Sequence, residues 1–216
     1  MTLASHRFVR HFHKIEGLLK ERGMLACLRF VFGRVVHRHW RSRVYRDDVH
    51  TARAAQDWPS GYRFEMCSQP TEMAEATRAA LRAAGGQELQ GDLDPGDRLY
   101  FVWHGQDVAS YGGVFLRSPQ RRLLGLPESA VLVGCCYTVP RHRQKGLYRL
   151  ALNETARCLR NEGIRDIFIE VSPNNTASIC GIEAAGFTYI RLIDVGIWCG
   201  RLMRRDAGWH WLRKGR

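Results

Sequence analysis

Residues 131–187 read VLVGCCYTVPRHRQKGLYRLALNETARCLRNEGIRDIFIEVSPNNTASICGIEAAGF. The apolar run from Val131 to Val139 predicts a strand, stopped at Pro140, which has no N–H to give a sheet ladder. A basic loop follows, Arg141 to Gly146. Leu147, Leu150, Ala151, Thr155, Cys158 and Leu159 then recur at three-and-four spacing, and Gly163 stands where a C-terminal cap belongs. Ile167 to Val171 reads as a strand. Asn174 and Asn175 open a second helix, with Ile179, Ile182 and Ala185 on one face and Gly186 as its terminator. The order is strand, basic loop, helix, strand, helix, strand.

A loop that opens a helix directs unpaired backbone N–H groups outward, and the helix dipole adds partial positive charge there. Gly146 allows a ligand close to the backbone, and Arg141, Arg143, Lys145 and Arg149 add formal charge. Such a loop suits a phosphate group. It lacks the G-x-x-x-x-G-K-[ST] of nucleotide-hydrolysing loops and the G-x-G-x-x-G of dinucleotide folds. The same residues fit a basic surface loop ahead of an amphipathic helix, and the loop alone does not separate the two.

The arrangement as a whole resembles the GNAT superfamily of acyl-CoA-dependent N-acyltransferases. Arg143-Gln144-Lys145-Gly146-Leu147-Tyr148 is similar to the family's Q/R-x-x-G-x-G/A, with Tyr148 in place of the final small residue. Asn175, Ser178 and Gly186-Phe187 are similar to its N-x-x-S/A-x-x-x-Y-x-x-x-G-F segment, with Ile182 where the family has Tyr. The resemblance covers residues 129–190 and, in element order, extends back to about residue 60. It implies an α/β (α+β) fold, a mixed and mostly antiparallel central sheet flanked by helices. That sheet is splayed between the family's fourth and fifth strands, here the strand ending at Val139 and Ile167–Val171.

The resemblance also implies direct transfer of an acetyl group from acetyl-CoA to an amine on a small molecule, amino sugar or protein, with no metal. The backbone at Tyr137, Thr138 and Val139 would pair with pantetheine. The amides of Arg143, Gln144, Lys145, Gly146, Leu147 and Tyr148 would meet the pyrophosphate. Asn175 falls at the family's cofactor-side Asn, although it or Asn174 serves equally as a helix N-cap. Glu170 is the candidate base, because burial in an apolar strand raises a carboxyl pKa towards neutrality. Its spacing to Asn175 resembles that of the catalytic Glu in N-terminal-alanine protein acetyltransferases. A solvent-facing Glu or a structural ion pair fits the same position. With Ile182 in the Tyr position, Tyr137, Tyr189 or water is left to protonate the thiolate. His142 is expected beside the phosphate rather than in catalysis. Two other readings stay open: an acyl-CoA-binding sensor or scaffold without turnover, and a peripheral-membrane acyltransferase using a longer acyl-CoA.

Composition is that of a globular chain: 216 residues with 45% hydrophobic and 25% charged. Seven cysteines show no C-x-x-C, which suits buried thiols in a reducing cytoplasm rather than a metal site or a disulfide framework. The start of the chain lacks the apolar stretch of a signal peptide, and no run reaches membrane-spanning length. The net charge of +12 sits at the ends: residues 1–53 hold 12 Lys/Arg against 4 Asp/Glu, and residues 201–216 hold 6 against 1.

The N-terminal part, 1–55, reads as a basic helical extension. One amphipathic helix spans residues 5–22, with Phe8, Phe12, Ile15 and Leu19 in a stripe, and a second spans Met24 to about Val44. The pattern fits packing against the domain or a dimer mate, the preferred reading. It also fits an anionic membrane surface at the inner face of the cytoplasmic membrane. Nucleic acid is not favoured, since no recognition motif accompanies the charge.

The boundary falls within residues 46–61, and the catalytic domain spans 60–203. Within it the sequence predicts a strand at Tyr62–Cys67, a helix at Pro70–Ala84 and a hairpin of Leu99–Trp103 with Val108–Leu116. Strands at Thr188–Ile193 and Val195–Met203 follow the organising stretch, and a basic tail spans 204–216.

Overall fold

The computed structural model describes residues 37–48, 56–68, 70–87, 89, 93–118, 120–198, 201–205 and 209–211. They fall into two compact units, one running Arg41–Ile193 and the other drawn from the two ends of the chain, with Asp194–Arg216 as its C-terminal part. The expected helix over residues 5–22, and the first part of the second one, lie outside the described residues. Among the described residues, no helix is long and apolar enough to cross a membrane.

The strands are β1 (His37–Asp47), β2 (Tyr62–Cys67), β3 (Arg98–His104), β4 (Asp107–Phe115), β5 (Val131–Thr138), β6 (Ile167–Val171), β7 (Phe187–Trp198), β8 (Arg201–Arg205) and β9 (Trp209–Trp211). The helices are α1 (Glu75–Ala83), α2 (Gln120–Leu124), α3 (Leu147–Asn161) and α4 (Thr176–Ala184). In the larger unit the sheet order is β2-β3-β4-β5-β6-β1-β7. The pairs β2–β3, β3–β4, β4–β5 and β1–β6 are antiparallel, and β5–β6 is parallel. In the smaller unit, β7 from Asp194 pairs antiparallel with β8, and β8 with β9.

Strand alternation divides the core between the two sheet faces. On β3, Leu99, Phe101 and Trp103 pack with Leu81 of α1, while Tyr100 and Val102 join the cluster beneath α3 and α4. Val131, Val133, Ile167 and Ile169 complete that second cluster with Leu147, Leu152, Leu159 and Ile182.

Several expectations need correction. Residues 37–44 are not the end of a helix but part of β1. Val44 lies opposite Glu170 and Tyr45 opposite Ile169, and both Val44 and Tyr45 are fully buried. Adjacent residues point to opposite faces of a strand, and here Val44 and Tyr45 are both buried, so no simple alternation marks β1 in the sequence. Opposite charges hold it: Arg46 bonds Asp166 at 2.9 Å, and Arg160 of α3 bonds Asp47 at 2.6 Å. The Tyr45 hydroxyl donates to Glu183 of α4 at 2.9 Å. From Arg41 on, the strand therefore belongs to the unit that carries the sheet, not to a separate extension.

The helix expected at Pro70–Ala84 is a 3₁₀ turn at Pro70–Glu72 followed by α1. The two strands expected around Asp194 are one, because Asp194 stands in the ladder opposite Arg205. The tail expected over 204–216 instead contributes the end of β8 and all of β9.

Candidate active site

The parallel pair β5–β6 is short. Val131, Leu132 and Val133 pair with Ile167, Phe168 and Ile169, and there the register ends. β5 nevertheless continues to Thr138, still paired with β4 through Tyr111↔Tyr137 and Ser110↔Thr138. An extra residue between Gly134 and Tyr137 puts a bulge in β5, and Cys135 takes a φ of 53° there. A bulge bends the strand that carries it, so β5 parts from β6 and a cleft opens between their C-terminal ends. A cavity of about 660 Å³ lies at this place, lined by β5, the loop after it and the N-terminal turns of α3 and α4.

The loop meets the cavity with its backbone. Gln144 and Gly146 both have positive φ, 63° and 72°. Gly146 is the N-cap of α3, and no side chain caps the helix. The first amides of α3 lack partners within the helix by geometry, and they open beside the cavity. A Cβ on Gly146 would meet nothing within 4 Å. The glycine thus serves both the left-handed turn and the open approach to the backbone.

Of the ten residues expected to hold the cofactor, Tyr137, Thr138, Arg143, Gln144, Gly146, Leu147, Tyr148 and Asn175 line the cavity, while Val139 and Lys145 do not. The Val139 amide donates to the Ala109 carbonyl at 2.9 Å, turning that residue's backbone towards β4 and away from the cleft. The amide of Arg143 is likewise engaged, with the Pro140 carbonyl at 3.2 Å. Its guanidinium does face the cleft, lying 5.6 Å from the Tyr137 ring centre, with Nε donating to the Thr138 carbonyl at 3.0 Å. Asn175 caps α4 through Oδ1, which accepts from the Ser178 amide at 3.1 Å. The capping role therefore falls to Asn175, not Asn174.

Lys145 turns to a cluster that sequence reading did not identify. Its ammonium donates to the Tyr62 hydroxyl at 2.9 Å, and that hydroxyl lies 2.8 Å from Nδ1 of buried His142. Arg141 Nε donates to His142 Nε2 at 3.0 Å. Arginine offers no acceptor, so Nε2 is unprotonated and Nδ1 carries the proton. Burial and then the neighbouring Arg141 charge push His142 below the usual histidine range. His142 is thus a structural link between β2 and the loop ahead of α3.

Tyr148, the departure from the small-residue signature, turns inward. A Cβ at Gly181 of α4 would lie 2.5 Å from its Cδ1, so the absence of a side chain at Gly181 makes room for the ring. Burial holds the Tyr148 phenol above the usual tyrosine range, with the hydrogen-bonded Cys136 thiol adding to it. Cys136 lines the same cavity, and its burial pushes the thiol up to about 12.

Glu170 and Tyr137 share a sheet face. Ile167, Ile169 and Val171 of β6 pack beneath α3 and α4, so Phe168 and Glu170 point to the opposite side. Tyr137 packs against Tyr111, 5.6 Å between ring centres, and Tyr111 belongs to the α1 cluster on that side. Burial pushes the Glu170 carboxyl up, and a hydrogen bond from Ser42 of β1 pulls part of the way back. Its Oε2 is buried with no hydrogen-bond partner. Tyr189 stands elsewhere, edge-on to Tyr45 with centres 5.6 Å apart, and does not line the cavity. Ile182 is wholly buried in the core.

The profile of the Acetyltransferase (GNAT) family matches residues 53–187, well over half of the chain, and the chain belongs to this family. Among solved structures, a GNAT-family acetyltransferase from Novosphingobium aromaticivorans is similar with 18% identity and a TM-score of 0.48, over 74% of this chain and 63% of that one. A GCN5-related N-acetyltransferase from Kribbella flavida shares 14% identity with a TM-score of 0.51, over 83% of this chain and 63% of that one. An aminoglycoside N-acetyltransferase in complex with CoA shares 19% identity with a TM-score of 0.46, over 58% of this chain and 90% of that one. The chain spans under two thirds of the length of the first two. No curated protein matches the chain.

Proposed function

We propose that this protein transfers the acetyl group of acetyl-CoA directly to an amine acceptor. The observation that carries the reading is the cleft at the parting of β5 and β6, floored by the uncapped N-terminus of α3. A thioester with a diphosphate-bearing tail fits that combination of an unpaired strand edge and an anion-binding helix end. Acetyl-CoA supplies the activated acyl group. The amides after Gly146, with the Arg143 guanidinium beside them, hold the negative charge of its tail.

The remaining chemistry falls to the face that carries Glu170 and Tyr137. An amine must lose a proton to attack a thioester and stay acylated, and a carboxylate whose pKa is lifted by burial is suited to accept it. Glu170 has that environment. Tyr137, half-exposed at the cleft and beneath the Arg143 guanidinium, is placed to protonate the leaving thiolate.

Calorimetric titration with acetyl-CoA tests the cofactor half. Wild-type protein binds, and Gly146→Asp, which places a carboxylate in the open space before the helix amides, loses binding by at least tenfold. Release of free thiol with a panel of amines tests the other half. Binding without thiol release from any amine would favour an acyl-CoA sensor instead.

A further inference from the structure

The loop that opens α3 takes a disfavoured shape. Gln144 and Gly146 both lie in the left-handed region, at φ 63° and 72°, with Lys145 between them. Glycine adopts that region freely, whereas a glutamine persists there only where neighbouring contacts hold it. Such contacts come from the first residue of β2. Lys145 Nζ donates to the Tyr62 hydroxyl at 2.9 Å and lies 5.3 Å from the centre of the Tyr62 ring. The same hydroxyl lies 2.8 Å from Nδ1 of His142.

The direction of these bonds follows from Arg141. Because Arg141 Nε donates to Nε2, His142 carries its proton on Nδ1 and donates it to Tyr62. A hydroxyl oxygen has two lone pairs; here one takes the His142 proton and the other a Lys145 proton. One phenol oxygen thereby ties down the residues on both sides of Arg143 and Gln144. Tyr62 is itself well seated, 8% exposed within the cluster beneath α3 and α4. Its ring centre lies 4.6 Å from that of His104, its cross-strand neighbour on β3. Arg141 adds a tie from the loop to the β3–β4 hairpin, donating to Asp107 at 2.8 Å.

His142, Gln144 and Gly146 line the cleft, so the part of the loop that Tyr62 ties down is also cleft wall. We propose that Tyr62 is a positioning residue for cofactor binding: its oxygen holds the loop in the shape that leaves the first amides of α3 open to the diphosphate of acetyl-CoA. The inference rests on the reading of the cleft as the acetyl-CoA site. It gives Lys145 the role of a tether for the loop rather than a ligand of the phosphate. A preformed loop lowers the ordering cost of binding. Without the oxygen, two donors lose their acceptor, one of them on a buried ring.

Tyr62→Phe keeps the ring and removes only the oxygen. In the full-length protein its acetyl-CoA affinity, read by calorimetry, should fall roughly tenfold, the scale of a hydrogen bond to a charged group. S-acetylpantetheine, which lacks the diphosphate, should bind as it does to wild type. Lys145→Met should weaken acetyl-CoA similarly on its own and by no more than about twofold in the Tyr62→Phe background, since both changes break one contact. An equal loss in both backgrounds would make Lys145 a direct phosphate ligand and overturn the inference. So would an unchanged acetyl-CoA affinity in Tyr62→Phe, or an equal loss of the two ligands.

Amide hydrogen exchange of the free proteins needs no ligand. Tyr62→Phe should speed exchange at His142, Arg143 and Leu150, whose amides bond the Val139, Pro140 and Gly146 carbonyls around the turn. The amides between β3 and β4 should stay protected. Equal loosening of those strands would show a general loss of fold and overturn the positioning role. Wild-type protein that binds no acetyl-CoA would refute the cofactor reading and the inference with it. Wild-type binding together with unmoved loop exchange in Tyr62→Phe would overturn the inference alone.

Discussion

Exchanging Gly181 for alanine tests whether the helix α4 has been shaped around Tyr148. The new Cβ would lie 2.5 Å from Tyr148 Cδ1 and 3.0 Å from Cε1. These atoms belong to a rigid ring, so relief requires the whole ring or the α4 backbone to shift. Overpacking of this kind costs about 1–3 kcal/mol. Against it stands the gain from replacing glycine inside a helix, about 1 kcal/mol. Gly181→Ala alone should therefore lose roughly 1 kcal/mol net, a fall in Tm of about 2–4 °C for a chain of this size. Removing the ring reverses the sign: in a Tyr148→Ala background the same substitution should gain up to about 1 kcal/mol. The double-mutant cycle, read by urea unfolding of the four proteins, thus gives a coupling of about 2 kcal/mol. Additivity to within about 0.5 kcal/mol would refute the reasoning, because the two positions would then not share space.

Two further outcomes follow from the loop and its neighbour. His142 titrates below its unfolded value, which is about 6.5. The unfolded chain therefore takes up the proton first as pH falls. The stability linked to this group is full above about pH 6.5 and declines below it. His142→Gln should reduce the drop in urea midpoint between pH 8 and pH 5, and an unchanged drop would exclude His142 as its source. Asn175 supports a split prediction, since it both caps α4 and lines the cavity. Asn175→Ala should cost about 1 kcal/mol of stability. Asn175→Asp should keep the cap yet weaken acetyl-CoA binding by its added negative charge, with both effects read by melting and calorimetry on the same samples.

What the sequence made legible was what neighbours along the chain decide. The strand stopped by Pro140 and the glycine that opens α3 each declare themselves within a few residues, and each stands where expected; the cap of α4 was legible only as Asn174 or Asn175, and Asn175 fills it. Directions across the fold were not legible. Whether Val139 faces the cleft depends on a bond to Ala109, and whether Lys145 does depends on Tyr62, 83 positions away. Tyr148 departs from the family's small residue, and the space for its ring comes from Gly181, in another helix. β1 is the extreme case. Its partner β6 lies more than 120 positions downstream, and Asp166, which pairs with Arg46, lies 120 positions away. The consequence reaches the chemistry. The carboxylate could be picked out from its apolar strand, but what sets its protonation includes a hydroxyl from β1. That hydroxyl lies in a stretch whose local pattern favoured another secondary structure. A variant that keeps the family-matched span and removes β1 would thus strip the antiparallel partner from β6 along residues 168–171 and uncover the edge beside Glu170.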